Sequence, residues 1–545
     1  MLRVTTIERW APPALQGLVI SRGLVVAGSV LLVCVASAAM YLYMLGSNFG
    51  YDATVHLVIA DDWVDGTPPF AKYAEGKPIG IYLLGSILLT LTGSSVPLVH
   101  LGVLLVNLTL VAGCVLVSRR WLSTVSLAVL AVLLLLLGFF TEMVYFLTEQ
   151  PAAIAGLCAL GLLLARARSS RGRVLLDGAA GAAIGVGFLF KQVDALYLVA
   201  ALLLVWMRAR LRQAERVHGS HPVGREATVL VLAAGLPLAA ALLWAASQGL
   251  AASMAYLTLW MPLVEYGSHT LFLKPFLTKL GPLLLAWLVC SVAFLVELRR
   301  RTIEDERSLW RAGLLAFGGV SLASLWKNQA SHYIIPALPF AVAFVVEVAE
   351  QWTTRLASGA RLVLACLAAA GVLALGWTYR GYAKRLTNPP DLAVDAAYAR
   401  AIASLTRPGE QALLINGLRR ATSYMYWTTG LRPPWRYLTI DQPAYALAPH
   451  APGELLAAMR NEQTSLVSWD PVEPASYLDP GLPFSAAELA DARQVLEQRF
   501  ERVSELGGFE FPGLWKLKGR LPAVRPLCDG PFTDHQGCGY SPRAA

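Results

Sequence analysis

Two acidic and three basic residues of this 545-residue sequence stand beside long apolar stretches, where charge is costly and is usually kept for function. The acidic residues are Asp52 and Glu149, and the basic residues are Lys77, Lys191 and Lys327. Ammonium groups can hold a phosphate and stabilise the negative charge that develops on it as a leaving group. A carboxylate can take the proton from an attacking hydroxyl. Together these residues predict a pocket in which a hydroxyl displaces a phosphate.

Further polar residues lie close to Asp52 in the sequence. His56 follows it by one helical turn, and Asp62 lies farther along the same segment, 52–64. Apolar residues recur there at helical spacing, so the sequence predicts an amphipathic helix that lies along the membrane surface. We expect His56 and Asp62 to line the pocket. The simpler interpretation of Asp62 is a surface charge on a solvated loop.

A second polar group follows Lys327. His332 and Tyr333 occur within seven residues of this lysine, so we predict that all three line the same pocket. Lys191 belongs to another such group, in which Asp194 follows three residues later. For that group a simpler alternative stays open, namely that Lys191 and Asp194 pair only with each other.

The composition limits which elements can position these residues. Hydrophobic residues make up 56% of the chain and charged residues 15%, and the mean hydropathy is +0.54. Such a chain cannot hide its apolar surface in water, so a bilayer must be its main solvent. The formal charge of +9 does not indicate nucleic acid, since basic excess in membrane proteins gathers in cytoplasmic loops. A soluble enzyme, a nucleic-acid binder and a disordered scaffold are excluded as classes.

Apolar runs of roughly 17 to 25 residues predict membrane spans. We predict eleven crossings, near 24–45, 98–117, 122–146, 151–166, 174–190, 193–207, 226–247, 279–298, 309–325, 333–350 and 360–378. The apolar segment 78–93 is short and bounded by Pro78 and Gly93, so it is predicted to be a half-inserted or juxtamembrane helix.

The basic residues predict the orientation. With the N-terminus in the cytoplasm, the inner segments hold 21 Lys and Arg residues and the outer segments of the membrane region hold six. All the candidate residues then fall on the outer side, with the first outer loop spanning 46–97. The protein is therefore predicted to be a multi-pass protein of the plasma (inner) membrane. Residues 1–385 form its all-α, polytopic catalytic domain, and residues 386–545 form a soluble extracytoplasmic, or periplasmic, domain.

The composition after about residue 386 is that of a water-soluble domain. Strands are predicted at 411–416, 465–469 and 513–518, and helices at 391–406, 453–461 and 485–500. The sequence therefore predicts that the C-terminal part is a small α/β domain.

Four short motifs occur in order along the membrane part. They are Asp52 directly after the first span, Glu75–Gly76–Lys77–Pro78 before an apolar helix, Thr148–Glu149–Gln150–Pro151 at the end of the third span, and His332–Tyr333 with Pro336 and Pro339 at the start of a later span. In order, sidedness and span context they resemble the GT-C glycosyltransferases. The branch concerned contains protein O-mannosyltransferases and bacterial aminoarabinose transferases that act on lipid A. The resemblance extends over about residues 20–380.

The resemblance implies a GT-C-like fold, a polyprenyl-phosphate-linked sugar as donor, and inverting transfer on the extracytoplasmic side. It also implies that Asp52 is the general base or orients the acceptor, that Lys77 contacts the donor phosphate, and that Glu149 is a second active-site acid. The chain departs from the family pattern at Ala53, where an acidic residue is common, and at Glu149, where Asp is common. No metal or other cofactor is expected, because that branch generally works without one and the sequence has no Cys/His ligand spacing.

The sugar is left open by the sequence, as is the acceptor, which could be a lipid, a glycan or a protein. The main alternative function is a secondary transporter or flippase for a lipid-linked or anionic substrate. Transporters tend to carry midplane charges and internal repeats, which this sequence lacks. A third possibility is a receptor or assembly scaffold whose C-terminal domain is the working part.

Overall fold

The structure is a computed structural model in which helices dominate up to residue 355 and a small sheet follows. It describes residues 22–45, 51–93, 95–166, 173–214, 223–265, 273–300, 306–325, 331–355, 399–407, 410–415, 422–438, 451–469, 485–506 and 509–519. This order of elements confirms the predicted class, a polytopic helical region followed by an α/β unit. The predicted span 360–378 and the predicted domain boundary at 385 lie outside the described residues.

The helices of the first region follow one another with short connections. They are α1 (Arg22–Leu45), α2 (Tyr51–Val64), α3 (Ile79–Thr92), α4 (Val96–Ser118), α5 (Thr124–Phe140), α6 (Glu149–Arg166), α7 (Arg173–Phe188), α8 (Leu196–Ala214), α9 (Val223–Ser247), α10 (Ala251–Ala255), α11 (Leu273–Arg300), α12 (Glu306–Ser321) and α13 (Leu338–Arg355). Three-residue-per-turn helices cover Gln192–Ala195, Leu322–Leu325 and Ser331–Ile334, and a π-helix covers Tyr256–Glu265.

Many of these helices have the composition of membrane spans. Three described helices are long and apolar enough to cross a membrane, over Val96–Ser118, Gln192–Ala209 and Gly224–Ser247. Six shorter apolar helices accompany them, over Val33–Leu45, Ile79–Thr92, Thr124–Gly138, Glu149–Ala165, Val174–Phe188 and Leu280–Val296. The helices are those of an integral membrane protein, whereas the eleven crossings and the sides on which the termini lie stay predictions.

Helix α9 has an exposed apolar face of the kind that contacts lipid in a membrane protein. Leu232, Leu236 and Leu243 are 67%, 65% and 72% exposed, and their spacing puts them on one face. A contiguous apolar face of this kind requires an apolar solvent. The opposite side of α9 packs on α7 so closely that a Cβ atom on Gly181 would overlap the carbonyl oxygen of Leu230. Small residues allow this approach, as they do between other membrane helices.

A buried ion-pair cluster fixes the ends of α12 and α13. The Glu347 carboxylate is fully buried and accepts hydrogen bonds from Arg311 at 2.7 and 2.9 Å and from Arg307 at 3.0 Å. Trp310 of α12 stacks on Trp121, with ring centroids 4.8 Å apart. Arg311 is also buried, and the Glu347 carboxylate offsets the free-energy cost of burying its charge.

We therefore expect Glu347→Gln to lower the free energy of unfolding by about 3 kcal/mol, because it removes the carboxylate charge with which the buried Arg311 pairs. The measurement is the thermal midpoint of the purified protein in detergent. Glu350→Gln is the matched control, since Glu350 lies one turn away and accepts only from the backbone N–H of Ser123 among the bonds described. That control should cost less than about 1 kcal/mol, and equal losses in both variants would contradict the prediction.

Helix α2 lies in a different environment from the one predicted. The helix itself is confirmed, but Ala53 to Ala60 are all buried by other parts of the protein, so this stretch is not amphipathic. Its position along the membrane surface stays a prediction. Helix α3 packs on one side of it, and α14 (Thr422–Thr429) of the C-terminal region packs on another. The hydropathy pattern of a segment shows its apolar positions but not which elements cover the rest.

Two predicted spans end differently in the structure. Helix α5 stops at Phe140 and residues 141–145 form turns, so the predicted span 122–146 is too long by about one turn and a half. Helix α13 begins at Leu338 instead of 333 and is preceded by the short helix Ser331–Ile334. Pro336 disfavours helical geometry at the residue before it, which separates the two.

The C-terminal region contains a four-stranded mixed sheet. Its strands are β1 (Gln411–Leu414), β2 (Thr464–Ser468), β3 (Phe500–Leu506) and β4 (Phe509–Leu517), in the order β1-β2-β4-β3. The first pair is parallel and the other two are antiparallel. The helices α15 (Ala451–Arg460) and α16 (Ala486–Arg499) accompany it, the latter with a capping box between Ser485 and Glu488. Strand β3 and helix α14 are additions to the predicted elements.

Candidate active site

Several helix ends meet on one side of the helical region and bring together residues that are far apart in sequence. Asp52 lies in the first turn of α2, and Glu149 begins α6. Lys191 precedes the short helix Gln192–Ala195. His332 and Tyr333 lie in the short helix Ser331–Ile334, described above. Lys77 lies in the loop between α2 and α3.

Glu149 and Lys191 form the buried centre of this group. Lys191 Nζ lies 2.7 Å from Glu149 Oε1, and the two side chains are 6% and 2% exposed. The hydroxyl of Thr148 donates to the other carboxylate oxygen at 3.0 Å. Both oxygens of Glu149 therefore already accept a hydrogen bond. The alternative in which Lys191 pairs only with Asp194 is not what the structure shows.

The Tyr333 ring joins the two lysines. Lys191 Nζ lies 4.0 Å from the ring centroid and Lys77 Nζ lies 5.9 Å from it. The face of an aromatic ring attracts cations at these distances. Tyr333 thus holds two ammonium groups near one point without neutralising either of them.

His332 lies between two carboxylates. Its Nδ1 is 2.9 Å from Glu142 Oε2, and its Nε2 is 3.7 Å from Asp52 Oδ2. Burial opposes the charged imidazole, but the hydrogen bond to Glu142 and the nearby Glu149 and Asp52 outweigh it and raise the pKa of His332. The side chain of Asp52 is 35% exposed, so a substrate can still reach its carboxylate.

His56 is buried one turn below Asp52. Its Nδ1 lies 3.4 Å from the carbonyl oxygen of Phe146, and its ring meets Tyr82 edge-on at 6.2 Å. Burial, together with the charge of Lys77, lowers the pKa of His56 to about 4. His56 is therefore neutral at physiological pH. It packs beside the charged residues and adds no charge to them.

The loop that carries Lys77 is fastened next to the site. Gln192 Nε2 donates to the carbonyl oxygens of Gly76 and Thr258, each at 2.8 Å. Where the loop enters α3, the N–H of Gly80 donates to the carbonyl of Leu189 at 2.7 Å. A Cβ at position 80 would come within 2.5 Å of that oxygen, so the approach requires glycine. This contact ties the start of α3 to the end of α7.

The structure thus brings together seven of the predicted site residues, namely Asp52, His56, Lys77, Glu149, Lys191, His332 and Tyr333. Asp62 lies elsewhere. It accepts hydrogen bonds from Tyr73 at 2.6 Å and Lys72 at 3.3 Å and pairs with Arg432 of the C-terminal region. It was expected to line the pocket, but its position at the end of α2 turns it toward the C-terminal region. Lys327 lies outside the described residues and stays a prediction.

Glu142, Gln192 and Arg432 are absent from the predicted set of site residues. Glu142 has a positive φ of 64°, a conformation that a residue with a side chain rarely adopts and that often marks a functional site. No sequence pattern predicts this backbone conformation at Glu142. Arg432 is 370 residues from Asp62, so nothing local could relate the two. Gln192 directly follows Lys191, which the sequence predicts to be a site residue.

No group of three or more His, Cys, Asp or Glu side chains within the described part of the chain could hold a metal ion. The arrangement offers ammonium groups beside an accessible carboxylate. Chemically, such a site can bind an anion and accept a proton from a neighbouring group.

Comparisons with known proteins find similarity in structure. No protein-family model matches the chain, and no curated protein matches it in sequence. The crystal structure of apo ArnT from Cupriavidus metallidurans superposes with a TM-score of 0.55 at 15% identity, over 81% of this chain and 92% of ArnT. ArnT bound to undecaprenyl phosphate gives 0.45 at 18% identity, over 87% and 88%.

The apo oligosaccharyltransferase of Archaeoglobus fulgidus gives a TM-score of 0.48 at 12% identity, over 81% of this chain and 69% of that one. Of these likenesses, the one to apo ArnT carries the assignment of the fold. The chain therefore has the fold of the GT-C membrane glycosyltransferases.

Proposed function

We propose that this protein is an integral membrane glycosyltransferase. It moves a sugar from a polyprenyl-phosphate-linked donor to a hydroxyl-bearing acceptor on the extracytoplasmic side, with inversion at the anomeric carbon. The acceptor is a lipid, a glycan or a protein. The fold shared with ArnT, which is an aminoarabinose lipid A transferase, supports this class of reaction.

One observation carries the proposal: an accessible carboxylate and two ammonium groups meet around His332 and Tyr333 although separate elements supply them. Asp52 lies 3.7 Å from His332, and the ammonium groups of Lys77 and Lys191 lie on Tyr333. A transferase that uses a phosphate leaving group needs these functions within a few ångströms of each other. The apolar helices around them suit a donor whose polyprenyl chain stays in the bilayer.

In the proposed reaction the acceptor oxygen attacks the anomeric carbon from the face opposite the phosphate. The new bond from oxygen to carbon forms as the bond from the anomeric carbon to the phosphate oxygen breaks. Asp52 takes the proton of the acceptor hydroxyl. The phosphate keeps the electron pair of the broken bond and leaves as polyprenyl phosphate, with one inversion of configuration at the sugar.

The lysines stabilise the leaving phosphate. An ammonium group has three N–H donors, so Lys191 can donate to a phosphate oxygen while it donates to Glu149. Lys77, on the same Tyr333 ring, supplies the second cation. Because both oxygens of Glu149 already accept hydrogen bonds, we assign it to holding Lys191 in place rather than to moving a proton. We expect Lys327 to add a third cation.

The experiment that tests the function is a turnover assay on purified protein. It is supplied with a panel of polyprenyl-phosphate sugars and with a membrane extract as a source of acceptors. Release of free polyprenyl phosphate together with a new sugar-bearing product supports the proposal. Flux of an intact lipid-linked substrate across vesicles, with no new covalent product, would instead identify a transporter or flippase.

Lys77→Ala should weaken binding of undecaprenyl phosphate by about ten- to a hundredfold, since it removes a charge-assisted contact to the phosphate. The measurement is the Kd of the purified protein in detergent. Lys518→Ala is the control. Lys518 also carries a positive charge, but it directly follows β4 and donates to the backbone carbonyls of Glu497 and Gln498. Unchanged binding in Lys77→Ala would remove the role assigned to Lys77.

A further inference from the structure

An arginine of the C-terminal region contacts the end of α2. Arg432 donates from Nη2 to Asp61 Oδ2 at 2.7 Å and from Nε to Asp62 Oδ1, so its guanidinium bridges two consecutive carboxylates at the end of α2. Its side chain is 19% exposed, and the Asp61 and Asp62 side chains are 16% and 9% exposed. The backbone carbonyl of Arg432 accepts from Ala412 of β1, which anchors the arginine in the sheet.

Asp62 also bonds to the loop between α2 and α3, so it links Arg432 to that loop. Its second oxygen accepts from the Tyr73 hydroxyl at 2.6 Å and from Lys72 Nζ at 3.3 Å. The backbone of Asp62 accepts from the N–H of Thr67 at 2.8 Å. The Asp62 carboxylate thus connects Arg432 to two residues of the loop 65–78, and the backbone of Asp62 holds a third. Lys77 lies near the end of that loop.

A second contact from the C-terminal region holds the same loop. The N–H of Ala74 donates to the backbone carbonyl of Arg436 at 2.9 Å. On the other side of the loop, Gln192 holds the carbonyl of Gly76, as described for the site. Lys77 therefore follows a segment that bonds directly to the C-terminal region at Ala74 and to the helical region at Gly76. Lys72 and Tyr73 connect to the C-terminal region only through Asp62.

The charges of this cluster depend on the arginine. Asp61 and Asp62 are adjacent and largely buried, and they face Arg432 and Lys72. Burial raises the pKa of Asp61, and Arg432 opposes that rise. Without Arg432 the two carboxylates would repel each other with only Lys72 to balance them. The end of α2 and the bonds from Asp62 to the loop would then rearrange.

We propose that Arg432 is a positioning residue, through which the C-terminal region holds the loop 65–78 so that Lys77 faces the donor phosphate. The inference rests on the proposed function, because it gives the C-terminal region a part in donor binding at the same site. Arg432 acts only through Asp61, Asp62 and the loop, and it does not itself touch the substrate.

The test is a double-mutant cycle on the full-length protein in detergent, with undecaprenyl phosphate as the probe. We expect Arg432→Gln to raise the Kd about tenfold, and the Lys77→Ala/Arg432→Gln double variant to bind no more weakly than Lys77→Ala, within about threefold. Arg499→Gln is the matched control. It also removes a positive charge, and it loses the bond from Arg499 to the backbone carbonyl of Met459 within the C-terminal region, so its Kd should not change.

Asp61→Asn/Arg432→Gln serves as a second variant, because it restores the charge balance of the cluster while still removing the clamp. Wild-type binding in both Arg432 variants would overturn the inference, as would an effect that multiplies fully with that of Lys77→Ala. Loss of folding in both would also overturn it, since the cluster would then be purely structural. If Lys77→Ala itself bound normally, the proposed function would fail first. If only Lys77→Ala bound weakly, the inference alone would fail.

Discussion

Asp52→Asn is expected to lower the rate of sugar transfer by about a thousandfold while leaving the Kd for undecaprenyl phosphate unchanged. Asparagine keeps the size and shape of the side chain but cannot take the proton of the acceptor hydroxyl. The Asp52 side chain is 35% exposed, so a substrate can reach its carboxylate, whereas Glu149 is 2% exposed. The measurement is the turnover rate at saturating donor, alongside the binding assay.

Asp65→Asn is the matched control for this prediction. Asp65 follows the same helix α2 and is exposed, so its replacement changes the local charge equally without touching the site. It should retain the wild-type rate. Full activity in Asp52→Asn would remove the carboxylate base from the mechanism. A loss of donor binding equal to the loss of rate would instead make Asp52 a structural residue.

Glu149→Gln is expected to affect both stability and activity. It leaves Lys191 buried without its counter-charge, which should lower the free energy of unfolding by about 3 to 5 kcal/mol. It also frees Lys191 to leave the Tyr333 ring, so transfer should fall by about a hundredfold or more. Thermal unfolding and turnover, measured on the same preparation, report the two effects.

A charge-free double variant separates these two effects. Glu149→Gln/Lys191→Met removes both charges at similar volume, and replacing a whole buried ion pair in this way is often close to neutral for stability. We expect the double variant to recover most of the lost stability and none of the lost transfer. Recovery of transfer would show that the pair is structural. An unaltered stability in Glu149→Gln would contradict the buried ion pair itself.

The apolar helices were predictable because membrane spans depend on local composition. Helices α4 and α9 follow from continuous apolar runs, and the strands β1 and β2 follow from short apolar segments between turn residues. The end of α5 was not predictable in the same way. Met143, Val144 and Tyr145 extend the apolar run beyond Glu142, yet residues 141–145 form turns that include the strained Glu142.

The site was predictable as a set of residue types and much less as a set of contacts. Charge beside apolar helices selected Asp52, Lys77, Glu149 and Lys191, because such residues are costly there. The contact partner of each residue could not be predicted in this way. Lys191 pairs with Glu149, 42 residues away, and not with the nearby Asp194. No periodicity relates residues that meet only through tertiary packing.

Asp62 was predicted to line the pocket, but its contacts place it elsewhere. Its place in an acidic segment after the first span indicated the pocket, yet it belongs to the cluster with Lys72, Tyr73 and Arg432. The partner that decides its role comes from the C-terminal region. A domain that packs across a site changes the roles of residues that the local sequence would assign to solvent or substrate.

An experimental structure of the protein with bound undecaprenyl phosphate would test the proposed site directly. We expect the phosphate to bind beside Tyr333, within hydrogen-bond distance of Lys77 and Lys191, and the Asp52 carboxylate to face the side from which an acceptor would approach. A phosphate bound away from these lysines, or an Asp52 side chain that points into lipid or a separate crevice, would contradict it.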